Sequence, residues 1–309
     1  MAPTVAFGPE ITAMATPFGT DGALDLAAAE RVARWLVDQG SSAIVVTGST
    51  GESATLSDDE RATLWRVVAA AVDVPVIAGA TTNDTAHSLR LVDAAERAGA
   101  KGILAVVPYY NRPPQAGLVR HFGQIARATS LPVLLYDVPA RTGRRLEPET
   151  TRELARTSTN VVGLKDASGD LAAAAALVAE APDGFVLYCG DDALVLPYLA
   201  IGAVGVVSVA GHWAGPLQRV MIEAARSGDW ERARRLNAAL EASYRFENQL
   251  AYPNPIPTKA MLAALGLAEP VCRSPLIDPT PTLIDEARSV LADLHAQADK
   301  EGIELRVKA

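Results

Sequence analysis

Short apolar segments alternate with longer amphipathic segments along most of the chain. The short segments are bounded by Gly, Pro or Asp, and their apolar residues are continuous rather than alternating with polar ones. Continuous apolarity over about four to eight residues is typical of strands that are buried on both faces of a parallel sheet. The segments that we predict as strands are 11–16, 43–47, 74–78, 102–107, 132–136, 161–165, 185–189 and 204–208.

The segments between these strands have the spacing of amphipathic helices. Residues 25–39 place apolar side chains on one helical face and are followed by Gly40, which suits the end of a helix. Ser57 and Glu60 have the spacing of a capping box in front of a helix at 61–72. The other helices that we predict between strands cover 84–98, 114–128, 148–157, 170–181 and 191–201.

The alternation of strands with helices predicts an α/β fold, a (β/α)8 TIM barrel, over residues 1–214. The alternative is a doubly wound open sheet, but no GxGxxG motif follows the first strand, which counts against its dinucleotide-binding form. Residues 215–309 show no further strand pattern, so we predict an all-helical C-terminal extension with a proline-rich connector. Its predicted helices are 215–227, 230–249, 257–265 and 282–298.

Composition narrows the class of partner. The chain has 309 residues, of which 49% are hydrophobic and 21% are charged, and its net charge is −8. An acidic chain without a basic cluster is a poor partner for nucleic acid or for an anionic membrane. No apolar run is long enough to span a bilayer, and residues 1–10 lack the basic and apolar regions of a signal peptide.

The cysteines indicate a reducing environment. Cys189 and Cys272 are the only two, and both lie among apolar residues, so we expect buried free thiols in the cytoplasm. The chain has neither a CxxC motif nor a Cys/His cluster. We therefore expect no metal site and no cofactor.

Lys165 is the first candidate for chemistry, because it closes the apolar run of the sixth predicted strand. Desolvation favours the neutral amine of a lysine, which is its nucleophilic form. The ordinary interpretation is a lysine at a strand end that forms a salt bridge, and Asp166 is adjacent. The surroundings of Lys165 at the end of the barrel therefore decide between the two interpretations.

Several other polar groups follow the ends of predicted strands. Residues 48–51 read Gly-Ser-Thr-Gly, a turn whose N–H groups and hydroxyls suit a carboxylate. Tyr136 ends the fifth predicted strand, Tyr110 follows the end of the fourth, and Arg141 lies in the loop after the fifth. In a TIM barrel the carboxyl ends of all strands meet at one mouth. A lysine, tyrosines and an oxyanion turn at one mouth are what Schiff-base chemistry on a 2-oxo acid requires.

Six short motifs occur in order between about residues 11 and 267. They are Gly-Ser-Thr-Gly-Glu at 48–52, Pro-Tyr-Tyr-Asn at 108–111, Tyr-Asp-Val-Pro at 136–139 with Arg141, Gly-Leu-Lys at 163–165, Gly-Asp-Asp at 190–192 and Pro-Asn-Pro-Ile-Pro-Thr-Lys at 253–259. Together they resemble the dihydrodipicolinate synthase / N-acetylneuraminate lyase family. The resemblance implies a class I, Schiff-base-forming, pyruvate-dependent lyase or aldolase on a TIM barrel, assembled as a homotetramer of tight dimers.

The resemblance also implies roles for individual residues of this chain. Lys165 would form the imine with pyruvate, and Tyr136 would donate and accept protons beside it. Ser49 would lie between Tyr136 and Tyr110 in a proton relay. Tyr110 would reach the site across the dimer interface from the neighbouring subunit.

Three further positions would bind substrates. Thr50 and the adjacent turn amides would hold the pyruvate carboxylate, and the backbone carbonyl of Val207 would face the site. Arg141 matches an arginine that binds the carboxylate of aspartate semialdehyde in the synthase branch, a role that suits the guanidinium fork. We therefore predict the condensation of pyruvate with aspartate semialdehyde in lysine and diaminopimelate biosynthesis.

Two alternatives stay open at this stage. Ser49 stands where many synthases carry Thr, and Gly-Ser-Thr-Gly-Glu is also common among the lyases and sugar-acid aldolases. A pyruvate-dependent lyase or aldolase acting on N-acetylneuraminate or a 2-keto-3-deoxy sugar acid is therefore the first alternative. A non-enzymatic sensor of a 2-oxo acid is the second, and the intact proton relay counts against it.

The resemblance extends to the effector site of lysine-inhibited family members. The positions that match this site in lysine-inhibited members are Ser53, Ala54, Asn83, His87 and Tyr109. His87 replaces a glutamate whose charge pairs with the amines of the effector, and Asp58 and Arg61 replace nearby histidines. We therefore expect weak or absent inhibition by lysine.

Overall fold

The structure is a computed structural model that describes residues 7–305. The prediction that the N-terminus is not a signal peptide falls mostly on residues 1–6, which lie outside the described residues. Residues 306–309, at the end of the predicted extension, lie outside them as well. Within the described range, no helix is long and apolar enough to cross a membrane.

Eight parallel strands close into a barrel in which each strand pairs with its neighbours in sequence. The closure is made between the first and last strands, where Ile11 pairs with Val207. The strands are β1 Glu10–Ala13, β2 Ala43–Val46, β3 Val76–Gly79, β4 Gly102–Val106, β5 Val133–Asp137, β6 Val161–Asp166, β7 Val186–Cys189 and β8 Gly205–Ser208. The predicted TIM barrel is confirmed, and the open-sheet alternative is wrong.

Helices follow the strands in turn. They are α1 Leu26–Asp38, α2 Asp58–Ala71, α3 Thr85–Arg97, α4 Gln115–Arg127, α5 Pro139–Thr142, α6 Pro148–Thr157, α7 Leu171–Glu180, α8 Val195–Ala200, α9 Gly215–Arg226, α10 Trp230–Glu247, α11 Ile256–Ala264 and α12 Pro281–Glu301. The predicted helix at 191–201 is divided into a 3-10 turn, Asp192–Leu194, and α8. The single turn α5 was not predicted, because four residues are too few to show helical periodicity.

The helix boundaries follow from local capping chemistry. The predicted capping box forms at the start of α2, where the Glu60 N–H donates to Ser57 Oγ at 3.2 Å and the Ser57 N–H donates to Glu60 Oε2 at 2.9 Å. The helix α1 ends before Gly40, whose φ of 100° suits a residue without a side chain. The predicted capping box and the end of α1 are confirmed, but α2 begins at Asp58 rather than at residue 61.

Side chains of the strands alternate between two apolar cores. One core fills the inside of the barrel with residues such as Ile11, Val45, Leu134 and Tyr188. The other lies between the strands and the surrounding helices. Tyr136 belongs to the inner core, so the residue after it, Asp137, points outward to the helices.

The region after β8 contains only helices among the described residues. The helix α9 packs on β1 and α10, and α12 packs on α10 and α11. This agrees with the predicted helical character of residues 215–305, although α9 follows β8 as earlier helices follow their strands. The division into a barrel at 1–214 and an extension at 215–309 stays a prediction. Cys189 and Cys272 are buried free thiols, as predicted.

Candidate active site

A cavity of about 430 Å³ lies among residues at the carboxyl ends of β2 to β5. Polar residues of the predicted motifs contribute to its wall, among them Ser49, Tyr109, Tyr136 and Arg141. The connector before α11 closes another side through Asn254. The mouth of the barrel therefore brings together groups from distant parts of the sequence.

Lys165 lies inside the barrel beside Tyr136. The two residues are paired in register between β5 and β6, and their exposed fractions are 4% and 5%. The Lys165 Nζ is 4.4 Å from the centre of the Tyr136 ring, a cation–π contact that compensates part of the lost hydration. Tyr136 lines the cavity at this point, whereas Lys165 is not among the described residues that line it.

Gly190 provides space for the Lys165 side chain. A Cβ at this position would lie 3.0 Å from Lys165 Cε and 2.9 Å from Ala167 Cβ. The contact with Ala167 Cβ is shorter than real Cβ contacts and the contact with Lys165 Cε is tight, so a larger residue would require Ala167 or the lysine side chain to shift. The glycine of the Gly-Asp-Asp motif after β7 therefore has a physical role beside the candidate nucleophile.

The turn after β2 has an unusual backbone. Thr47 and Glu52 have φ values of 60° and 53°, which non-glycine residues rarely adopt. A Cβ at Gly79 would lie 2.3 Å from the Thr47 carbonyl oxygen, so glycine is required on β3 for the turn to pack there. Within residues 7–305, the backbone N–H groups of Ser49 and Thr50 donate to no protein acceptor. They are therefore free to bind an anion.

Asn254 connects this turn with Arg141, a link that the sequence did not reveal. Its Nδ2 donates to Thr50 Oγ1 at 2.9 Å, and its backbone carbonyl accepts from Arg141 Nη2 at 3.2 Å. Thr258 donates to Asn254 Oδ1 at 3.2 Å and orients the amide. The only sequence signal for this link was the Pro-Asn-Pro motif itself.

A buried ion pair supports the same turn from the C-terminal side. Lys259 Nζ lies 3.0 Å from Glu52 Oε1, and both side chains are almost fully buried. The ammonium also donates to the carbonyls of Thr16 and Val271, at 2.6 Å and 2.7 Å. Burial lowers the pKa of Lys259, and Glu52 opposes this effect. Sequence reasoning assigned no role to either residue.

Tyr110 and Val207 lie apart from these groups in a single chain. Tyr110 is 90% exposed and has a φ of 70°, and its neighbour Tyr109 lines the cavity instead. Val207 is buried in β8 with its side chain in the inner core. In residues 7–305, no hydrogen bond joins the hydroxyls of Ser49, Tyr136 and Tyr110, so the predicted relay is not assembled within one chain.

The positions that match the lysine effector site contain a different set of charges. His87 Nε2 contacts both carboxylate oxygens of Asp58, at 2.8 Å and 3.0 Å. Arg61 is 5% exposed, and its Nη2 donates to the Ser53 carbonyl at 2.5 Å. Burial lowers the pKa of Arg61, while Tyr109 raises it. The described residues contain no group of three or more His, Cys, Asp or Glu side chains that could hold a metal ion.

Comparison with known proteins decides the family. A sequence model described as the dihydrodipicolinate synthetase family matches residues 6–295. The chain belongs to this family. The 4-hydroxy-tetrahydrodipicolinate synthase of Moorella thermoacetica is 46% identical over 276 residues, which cover 89% of this chain and 94% of that protein.

Solved structures of family members have the same fold. The dihydrodipicolinate synthase of Cyanidioschyzon merolae, solved with lysine bound, matches with a TM-score of 0.91 and 41% identity, covering 94% of this chain and 99% of that chain. A monomeric dihydrodipicolinate synthase variant matches with a TM-score of 0.90 and 36% identity, covering 94% and 97% of the two chains. The two structures therefore share the barrel fold with this chain.

Proposed function

We propose that the chain is a 4-hydroxy-tetrahydrodipicolinate synthase, a lyase that condenses pyruvate with aspartate semialdehyde. One observation carries the proposal. The Lys165 amine is buried and lies 4.4 Å from the centre of the Tyr136 ring, and Tyr136 and Arg141 line the same cavity at the mouth of the barrel. The names of the relatives support the synthase over a lyase acting on N-acetylneuraminate or a 2-keto-3-deoxy sugar acid.

Lys165 would act as the nucleophile. Its amine would add to C2 of pyruvate and expel water, and loss of a proton from C3 would convert the imine into an enamine. C3 would then attack the aldehyde carbon of aspartate semialdehyde. The amino group of that substrate would attack C2 and displace Lys165, which closes the ring and returns the free lysine. Tyr136, whose ring contacts the Lys165 amine, would donate and accept the protons.

The turn after β2 would hold pyruvate. Its free N–H groups at Ser49 and Thr50 suit the carboxylate, and the Asn254 amide fixes the Thr50 hydroxyl. The carbonyl of Val207 would face the same site from β8. These groups bind the end of pyruvate that does not react, which orients C2 toward the amine.

The proton relay would need a second copy of the chain. Ser49 would join Tyr136 to Tyr110 of the neighbouring subunit, and the 90% exposure of Tyr110 leaves it available to cross an interface. We therefore propose a homotetramer built from tight dimers. The monomeric variant among the relatives makes this assembly a feature to be measured for each member.

Arg141 would select the aldehyde. It is an exposed residue of the loop after β5, held at the rim by its bond to the Asn254 carbonyl. A guanidinium at this position suits the carboxylate of aspartate semialdehyde through two parallel N–H donors. We place the enzyme in lysine and diaminopimelate biosynthesis in the cytoplasm, with weak or absent inhibition by lysine.

The experiment that tests this function has two stages. Purified protein is incubated with pyruvate and borohydride, and the reduced adduct is located by peptide mass spectrometry, with Lys165→Ala as the control. Products are then identified with aspartate semialdehyde, N-acetylmannosamine and glyceraldehyde. We expect the adduct on Lys165 and a dominant product from aspartate semialdehyde. An adduct on another lysine would overturn the mechanism, and a product from a sugar aldehyde alone would favour the lyase.

A further inference from the structure

Two buried carboxylates lie on the outer side of the candidate catalytic pair. Asp137 follows Tyr136 at the end of β5, Asp166 follows Lys165 at the end of β6, and the strands pair the two aspartates in register. Because successive side chains of a strand point to opposite faces, the carboxylates face the surrounding helices while their neighbours face the barrel interior. Their exposed fractions are only 2% and 3%.

Arg145 faces these carboxylates from the loop after β5. Its Nε lies 3.9 Å from Asp137 Oδ2. Its Nη1 donates to Asp170 Oδ2 at 2.7 Å, and its Nη2 donates to Ser168 Oγ at 3.4 Å. One guanidinium therefore ties the loop after β5 to the loop after β6.

The loop after β5, residues 138–147, carries Arg141. Near its C-terminal end, the Leu146 N–H donates to Asp137 Oδ1 at 3.1 Å. Asp137 thus accepts a hydrogen bond from this loop and attracts Arg145 of the same loop. The residue next to Tyr136 in sequence is therefore also the anchor of the segment that presents Arg141.

Asp137 changes its charge near neutral pH. Burial raises the pKa of Asp137 to about 7; the Leu146 N–H bond and Arg145 lower it, and Asp166 raises it further. The charged or titratable groups around it are Arg145, Glu147, Asp166 and, through Arg145, Asp170, with Tyr198 beside Asp166. The carboxylate is mostly neutral below this pH and mostly ionised above it, so its attraction for Arg145 grows as the pH rises.

We propose that Asp137 and Arg145 are positioning residues that hold Tyr136 and the Arg141 loop in place for the aldehyde step. The kinetic consequence of this inference rests on the proposed synthase function. When Asp137 is ionised, the loop is held at both Leu146 and Arg145. When Asp137 is neutral, Arg145 keeps only its contacts with the loop after β6, and the loop after β5 is held less firmly.

A double-mutant cycle tests the proposal. Asp137→Asn, Arg145→Gln and the double variant are compared with wild type between pH 6 and 8.5, with Asp183→Asn, an exposed acid, as the control. We expect kcat/KM for aspartate semialdehyde of Asp137→Asn to match wild type at pH 6. At pH 8.5 we expect kcat/KM of Asp137→Asn to be about threefold lower than that of wild type. A loss of this size is typical when a partly exposed ion pair is removed. The pyruvate adduct on Lys165 should form as in wild type.

The double variant and the pyruvate step separate positioning from a structural role. If Asp137 acts through Arg145, the double variant should be no slower than Arg145→Gln alone. The proposal would be overturned if the ratio of kcat/KM between Asp137→Asn and wild type stayed constant across the pH range. It would also be overturned if the loss of kcat/KM in the double variant equalled the product of the two single-variant losses. If Asp137→Asn does not fold, Asp170→Asn replaces it in the experiment. This substitution weakens the contact that Arg145 makes with Asp170 on its more exposed side.

Hydrogen exchange tests the same contact without activity. Peptides that cover residues 138–147 are followed at pH 6 and 8, after correction for the intrinsic exchange rate. We expect greater protection at pH 8 in wild type and equal protection at both pH values in Asp137→Asn. Equal protection in wild type would overturn the proposal. A wild type that forms no adduct on Lys165 would instead refute the proposed function, and the exchange result would still decide this inference.

Discussion

Replacing Lys259 by methionine should destabilise the whole fold. The Lys259 ammonium lies in the protein interior, 3.0 Å from Glu52 Oε1 and 4.3 Å from the centre of the Phe18 ring. It also donates to the carbonyls of Thr16 and Val271. Methionine keeps much of the side-chain volume but removes the charge and all of these hydrogen bonds.

The magnitude follows from what the substitution leaves behind. Removing one partner of a buried ion pair costs about 3–5 kcal/mol, because the other charge stays buried without compensation. In Lys259→Met the charge that remains is the Glu52 carboxylate, and Glu52 is 5% exposed. With an unfolding entropy of about 2.1 cal/mol/K per residue, the 309 residues give about 650 cal/mol/K. A loss of about 4 kcal/mol then lowers the unfolding midpoint by about 6 °C.

Differential scanning calorimetry of thermal unfolding measures this loss of stability. Two further variants show which interaction is responsible for it. Lys300→Met, on the exposed face of α12, serves as the matched control and should change the midpoint by less than about 1 °C. Combining Glu52→Gln with Lys259→Met removes the buried charge and should recover part of the lost stability. An unchanged midpoint in Lys259→Met, or a double variant that loses the sum of both single effects, would refute the reasoning.

Three other outcomes are expected. Arg141→Ala should lower kcat/KM for aspartate semialdehyde by about tenfold to a hundredfold, because a charge-assisted bond is lost. The pyruvate adduct should persist, and Arg120→Ala, at an exposed site, should have no effect. His212 accepts from the Ala15 N–H and donates to the Val209 carbonyl, and burial lowers its pKa to about 4. Because the unfolded state binds the proton first, stability should fall as pH drops from about 6.5 to 4, and urea titrations should show a smaller fall in His212→Gln. Millimolar lysine should leave the activity unchanged, and inhibition below one millimolar would contradict this.

The fold could be predicted because buried parallel strands leave a strong local signal. Continuous apolar runs located all eight strands within a few residues. The boundaries were less certain, as the third strand shows. It was predicted at 74–78 but runs from Val76 to Gly79. Gly79 lies just beyond the predicted range, but in the structure it is a strand residue that must be glycine to let the Thr47 carbonyl approach.

The adjacency of Lys165 and Tyr136 could be predicted for the same reason. Both end neighbouring strands of a barrel, and the ends of such strands meet at one mouth. The register that pairs them could not be read from the chain, because the spacing of apolar residues carries no information about the partner strand. The contact of Asn254 with Thr50 spans 204 positions in sequence and leaves no local pattern at either end.

The turn after β2 explains why the C-terminal segment belongs to the site. Thr47 and Glu52 keep left-handed backbone conformations, which cost about 1–3 kcal/mol each unless the surroundings enforce them. Thr47 is held by the barrel, through its bonds to Trp65 and to the Gly79 carbonyl. Glu52 is held by Lys259 of α11.

The turn after β2, which we propose holds the pyruvate carboxylate, is therefore stabilised by the packing of the segment before and within α11 against it. Asn254 and Lys259 come from this one segment and contact Thr50 and Glu52, which are two positions apart on the turn. Loosening the segment at either contact would disturb the N–H groups of Ser49 and Thr50, which we propose bind the pyruvate carboxylate. Substitutions at Asn254 should consequently raise the KM for pyruvate and lower the unfolding midpoint together, whereas substitutions on the exposed face of α12 should do neither.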